Sequence, residues 1–286
     1  MEERCSVLSR ERDEPMTGTA FPQGGLLLVE QPGAWGRGGL GESDLDPDVA
    51  RAVEARAATA DLKTLAIRTL GRPEERVRRW AVRIPGSPVT CWGTFGADTD
   101  LLDLPLDGSA GDPSAEDLYL VCTHAKRDRC CAVLGRELGL ALERRRPGRV
   151  WGCSHTGGHR FAPVVVAASG AAAPSVMYGR VGAADLDEVV SATLSGHTVP
   201  RLLRGVNGLS GAAQAALGHA QLRTGASGLA DWEVRAESEL GDGRWEVRLA
   251  GPGGDHAVVV TLTRDQTPFP SCGKPGPEPQ PHYGVG

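Results

Sequence analysis

Between Cys122 and His159 the chain gathers the side chains that bind transition metals. The segment reads CTHAKRDRCCAVLG, then a helical stretch, then VWGCSHTGGHRFAP. It holds Cys122, Cys130, Cys131 and Cys153, four of the seven cysteines, together with His124, His155 and His159, three of the seven histidines. Soft nitrogen and sulfur ligands at this density suggest a transition-metal site. The competing reading is a set of structural cysteines beside ordinary loop histidines, because cysteine behaves as a small hydrophobe and is commonly buried. The density favours the metal.

Local patterns say how such a site is assembled. Leu118 to Cys122 is a short apolar strand that delivers Cys122 to its C-terminal end. Asp128 can cap the next helix, in which Leu134, Leu138 and Leu142 recur every four residues, and Pro147-Gly148 stops it. Cys131 then falls in the first turn and can meet Cys122 across the strand–loop–helix turn. Arg149 to Gly152 reads as a strand, followed by a loop in which Gly157-Gly158 lets the backbone fold closely around a metal. Cys122, Cys131, His155 and His159 make a complete four-ligand set. Zinc accepts two cysteines and two histidines, but structural zinc pairs usually come as C-x₂₋₄-C and H-x₃₋₅-H, and only the histidine pair fits. A zinc-protease helix is excluded, since Thr156 replaces the needed glutamate and the glycines spoil the helix. A 2Fe–2S cluster held by two cysteines and two histidines, as in Rieske centres, fits the ligand types. The Rieske fold itself does not, because no C-x-x-H or C-x-x-C follows Cys153-Ser154-His155. On the residues alone zinc and iron–sulfur both stay open.

The rest of the chain reads as α/β. Residues 1–24 are polar and form a flexible arm. An N-terminal α/β unit, 25–112, opens with a buried strand at Leu26–Val29, a helix that Asp46-Pro47 starts, and strands at 62–67, 80–84 and 89–95. Its glycine-rich run at 33–41 lacks the G-x-G-x-x-G of a phosphate-binding loop. Residues 115–205 run β–α–β–loop–β–β–α, the order of a thioredoxin-like unit. A small α+β piece follows at 206–266, an Ala-rich helix and a three-stranded meander, and 267–286 is a disordered tail rich in Pro and Gly. The chain is 286 residues with a net charge of -5, so no basic stripe for nucleic acid is present. The longest apolar run, Phe161 to Ala173, is too short to span a bilayer, and the charged N-terminus has no signal-peptide core. A cytoplasmic location follows, where thiols stay reduced.

CTHAKRDRCC and WGCSHTGGHRFAP resemble the sucraseferredoxin-like family, whose core is similar to a thioredoxin-like ferredoxin. The resemblance extends to EPMTGTA at 14–20, LLLVEQPGAWG at 26–36 and SCG at 271–273. It implies a 2Fe–2S cluster on Cys122, Cys131, His155 and His159, with Cys130 and Cys153 as alternates. It also implies an electron carrier or redox sensor, with an unidentified redox protein as donor or acceptor. A homodimer is left open, and membrane and nucleic acid are not expected partners. Glycosidase chemistry is not expected despite the family name, since no facing pair of carboxylates stands out. Structural zinc binding and thiol oxidoreduction are the rivals. The latter is disfavoured because the adjacent Cys130 and Cys131 are poorly placed to bond to each other. His124 reads as a solvated neighbour of the site, and Lys126, Arg127, Arg129 and Arg160 as its basic rim.

Overall fold

Side chains alternate sides along a strand, so one strand can serve two cores. In the computed structural model of the chain, which describes residues 4–71, 77–267, 270–273 and 276–286, that alternation organises the architecture. After a short helix α1 (Cys5–Glu11), strand β1 (Gly25–Glu30) is buried at every position. Leu27 and Val29 pack on α2 (Pro47–Thr59) through Val49, Ala50, Val53 and Ala57. Leu26 and Leu28 face the opposite way, into a core they share with Leu120, Cys122, Val166 and Met177. The start of α2 is the one its sequence specifies: Asp46 Oδ1 accepts from the Asp48 N–H at 2.8 Å, and Pro47 opens the helix.

The chain then repeats one plan. β2 (Leu62–Arg68) is parallel to β1; β3 (Arg78–Arg83) and β4 (Thr90–Phe95) continue antiparallel from β1's other flank. A short β5 (Asp112–Ser114) ends that edge. In the second half, β6 (Leu118–Cys122) leads through α3 (Arg136–Arg145) to β7 (Val150–Cys153), parallel to β6. β8 (Val165–Ser169) and β9 (Ala172–Tyr178) extend antiparallel from β6, and α4 (Leu186–Leu194) and β10 (Leu203–Val206) complete it. Both halves therefore run second–first–third–fourth strand across the sheet, which for the second half is consistent with a thioredoxin-like arrangement. β2 and β7 meet antiparallel at Ile67–Cys153 and Arg68–Gly152. The result is one ten-stranded sheet, ordered β10-β9-β8-β6-β7-β2-β1-β3-β4-β5. The expected border between 25–112 and 115–205 thus crosses a continuous sheet with a common core.

α5 (Gly211–Thr224) presents Ala212, Ala213, Ala216 and Leu217 to a second sheet, edged by the exposed β11 (Glu233–Gly241), through β12 (Arg244–Gly251) and β13 (Gly254–Thr267). Their Val247, Leu249, Val258 and Val260 belong to the same core as Tyr119, Val121 and Val165. The 206–266 piece therefore completes the core of the second half.

Two expectations need correction. The arm expected at 1–24 is not loose where it is described, from residue 4 on: Cys5, Met16, Ala20 and Phe21 cover the shared core. The tail beyond 267 is not disordered where it is described: β14 (Glu278–Val285) pairs antiparallel with β13 from Thr267–Glu278 to Val260–Val285. Prolines suggested disorder there, but Pro279 and Pro281 lie two apart on an edge strand, where the missing N–H groups face outward and cost no ladder bond. Among the described residues, no helix is long and apolar enough to cross a membrane.

Candidate metal centre

Cys122 is the last residue of β6, and Cys131 opens a π-helical turn (Cys131–Gly135) that runs into α3. The turn can approach the strand end because residue 135 is glycine: a Cβ there would lie 2.0 Å from the Cys122 carbonyl oxygen. Both thiols are 1 % exposed. The ligand atoms of Cys122, Cys131 and His155 all lie within 4.8 Å of one another. His159 stands outside that group of three, its ring stacked on that of His155 with centroids 4.6 Å apart. The Nδ1 atoms of both histidines are buried without a hydrogen-bond partner. Three soft donors thus meet with a second imidazole stacked beside them, and both imidazoles hold unused lone pairs or protons in a buried place, which is the condition a metal relieves.

The electrostatics are those of a site built for a thiolate. Cys131 donating to Cys122, with His155 beside it, outweighs burial and holds the Cys122 thiol well below the usual range. The same contact and burial push Cys131 up. Burial pushes His159 down to about 4, so its ring is neutral and can bind metal at physiological pH.

The histidine loop is held from three sides. Ser154 N–H donates to the Ala66 carbonyl at 2.8 Å and its Oγ accepts from Ala66 N–H at 3.1 Å, tying the loop to β2. His124 is buried, not solvated. Its Nδ1 accepts from the His155 backbone N–H at 3.1 Å, its Nε2 donates to the Gly36 carbonyl at 2.6 Å, and Trp35 meets it edge-on. Those two bonds fix a neutral tautomer, and burial lowers its pKa accordingly. Arg204 of β10, also buried, reaches the Gly157 carbonyl at 2.9 Å and Thr19 Oγ1 at 3.0 Å. Burial pushes its guanidinium down to about 9.

The alternate thiols do not reach these histidines. Cys153, fully buried in the shared core, is pushed up by burial. Cys130 points into a second group, with Cys5, Asp128 and Cys272. Of the expected basic rim, Lys126 and Arg129 are exposed and Arg127 half-buried, but Arg160 is buried. It donates to Glu14 at 2.6 Å and to Gln280 at 3.1 Å, and Glu14 also takes His282 at 2.9 Å. His124 carried a sequence signal, two residues past the strand-end cysteine. Arg204 carried none, because its role depends on β10 lying across the sheet from the loop.

The sucrase/ferredoxin-like family model matches residues 45–205, more than half of the chain and all of the cysteine–histidine stretch. No curated protein and no solved structure matches it.

Proposed function

The chain belongs to the sucrase/ferredoxin-like family, and from that premise we propose that it is a one-electron carrier or redox sensor whose Cys122, Cys131, His155 and His159 hold a 2Fe–2S cluster. The observation that carries this reading is the meeting of two buried thiols with His155, on whose ring His159 stacks, the Nδ1 atoms of both imidazoles having no hydrogen-bond partner. When bound, such a cluster takes up and returns single electrons at a potential set by its ligands, nearby hydrogen bonds and solvent exposure.

The chain's own residues prepare that site. Cys122 supplies a thiolate stabilised before any metal arrives, and Cys131 supplies the proton that metal binding displaces. His124 and Arg204 orient the loop that carries the imidazoles. The two thiols exclude water, while His155 and His159 are half-buried, so the imidazole side is the edge open to a partner. Lys126, Arg127 and Arg129 on the adjoining loop give that neighbourhood a positive charge suited to an acidic redox partner.

The test is iron, sulfide and zinc analysis with a visible spectrum on the full chain purified without oxygen. About two irons and two sulfides per chain and a brown-red colour are expected. Colourless protein with zinc coordinated by two sulfurs and two nitrogens would overturn the redox reading and leave a structural zinc protein.

A further inference from the structure

Cys5, Asp128, Cys130 and Cys272 come from three stretches far apart in the chain, and their ligand atoms all lie within 4.8 Å of one another. The sulfurs form a triangle with sides of 3.7 Å (Cys5–Cys130), 3.3 Å (Cys130–Cys272) and 3.5 Å (Cys272–Cys5). Asp128 caps it, with Oδ1 3.7 Å and Oδ2 3.6 Å from Cys5 Sγ. Thiols are weak hydrogen-bond donors and acceptors, so mutual contacts alone give little reason to gather three of them around a carboxylate. A tetrahedral zinc ion gives one. With Zn–S bonds of about 2.3 Å and a Zn–O bond of about 2.0–2.2 Å, its S–S edges are about 3.8 Å and its S–O edges about 3.5 Å. The observed triangle is slightly contracted from that figure, and its S–O edge agrees with it.

We propose that Cys5, Cys130, Cys272 and Asp128 bind one zinc ion, at a site separate from Cys122, Cys131, His155 and His159. Two further observations support it. The carboxylate is already aimed: Asp128 Oδ1 accepts from the Cys130 N–H at 2.8 Å, and Oδ2 accepts from the Cys272 N–H at 2.8 Å and Ser271 Oγ at 3.0 Å. Oδ1 keeps a lone pair for the ion while the two bonds to Oδ2 hold the carboxylate in place, and carboxylates that ligate metals are oriented by such bonds. The charge is also balanced. Three thiolates and a carboxylate bring twice the charge of the ion they surround, and Arg4, Arg37, Lys126, Arg127 and Arg129 line the hollow in which Cys272 opens to solvent. Binding releases the thiol protons to that solvent and changes no oxidation state.

The site explains why two terminal segments close on the middle of the chain. The ion staples α1 and the 271–273 turn to the loop that carries Cys131. Because Cys130 and Cys131 are adjacent and point to different sites, it also holds the backbone beside a proposed cluster ligand.

The experiment is metal analysis with zinc-edge X-ray absorption on the full chain, purified without oxygen or chelator. One zinc per chain with three sulfur neighbours and one oxygen is expected. Cys122→Ser/Cys131→Ser keeps that zinc. Cys5→Ser/Cys272→Ser loses it but keeps the visible spectrum of the other site. Zinc-free protein, a disulfide among Cys5, Cys130 and Cys272, or a shell of two sulfurs and two nitrogens would each overturn the inference. Should the Cys5/Cys272 variant fail to fold, the shell in the unaltered chain decides alone. Zinc in a three-sulfur shell without iron sinks the redox proposal and leaves this inference standing.

Discussion

Gly157 and Gly158 are adjacent, both in the left-handed region at φ 86° and 63°, yet their surroundings differ. A Cβ on Gly157 meets nothing within 4 Å. A Cβ on Gly158 would lie 2.5 Å from Arg204 Nη2, 2.8 Å from its Cζ and 3.0 Å from Phe161 Cδ2. An exposed arginine would swing aside, but Arg204 is 1 % exposed and bonded to Gly157 and Thr19. Moving it breaks at least one charged hydrogen bond. Left-handed backbone costs alanine about 1–2 kcal/mol at either position, and losing a hydrogen bond to a charged group adds about 1.5–3 kcal/mol. Gly157→Ala is therefore expected to lose about 1–2 kcal/mol and Gly158→Ala about 2.5–5 kcal/mol. At roughly 2–4 °C per kcal/mol, the two melting temperatures separate by about 3–12 °C in thermal unfolding followed by circular dichroism. Equal losses, or a larger loss at Gly157, would refute the claim that Arg204 fixes this loop.

Three further outcomes are expected. His124→Leu leaves the His155 N–H and the Gly36 carbonyl unpaired, and chelator competition should show metal affinity at the Cys122–His155 site falling about 10–100-fold, with His124→Gln recovering part of it; unchanged affinity refutes a positioning role. Burial raises the Glu14 pKa, but Arg160 and His282 outweigh it and hold the carboxyl below its ordinary value of 4.5. Its contribution is then fully present above that value and lost as pH falls through the folded pKa, so Glu14→Gln should be less stable than the parent at neutral pH and converge with it in acid; a constant gap in pH-dependent melting refutes this. His155→Cys/His159→Cys replaces two neutral ligands by two anions and should lower the reduction potential in voltammetry, whereas an equal or higher potential argues against imidazole ligation.

Local signals were legible where local physics decides the structure. Asp46-Pro47 marked the start of α2, and the apolar run Leu118–Cys122 delivered a cysteine to a strand end as expected. The single sheet was not legible, because β2 and β7 pair through only Ile67–Cys153 and Arg68–Gly152, too little to leave a pattern. α1 was missed for a related reason. Arg4 makes no side-chain cap and the helix has no acidic first turn, so the short segment is held by what Cys5, Ser6 and Ser9 bury. The meeting of Cys5 with Cys272 could not be read from spacing, since it depends on both termini folding back over one face.

The family match, 45–205, holds every expected ligand but not everything that secures them. Gly36 and Trp35, which fix His124, precede it; so do Thr19, which holds Arg204, and Glu14, which neutralises Arg160. Ser271 and Cys272, which orient Asp128, and Gln280 and His282, which close on Arg160 and Glu14, follow it. Removing the N-terminal flank would take Glu14 from the buried Arg160, and breaking a buried pair from one side costs about 3–5 kcal/mol; removing the C-terminal flank would take the Oδ2 donors from Asp128 and Gln280 from Arg160. Such a loss falls on the His155–His159 loop first, because Arg160 and Arg204 are attached to it. The repeated halves supply a rigid sheet, but the soft-ligand loop on it is held in place by the two ends of the chain.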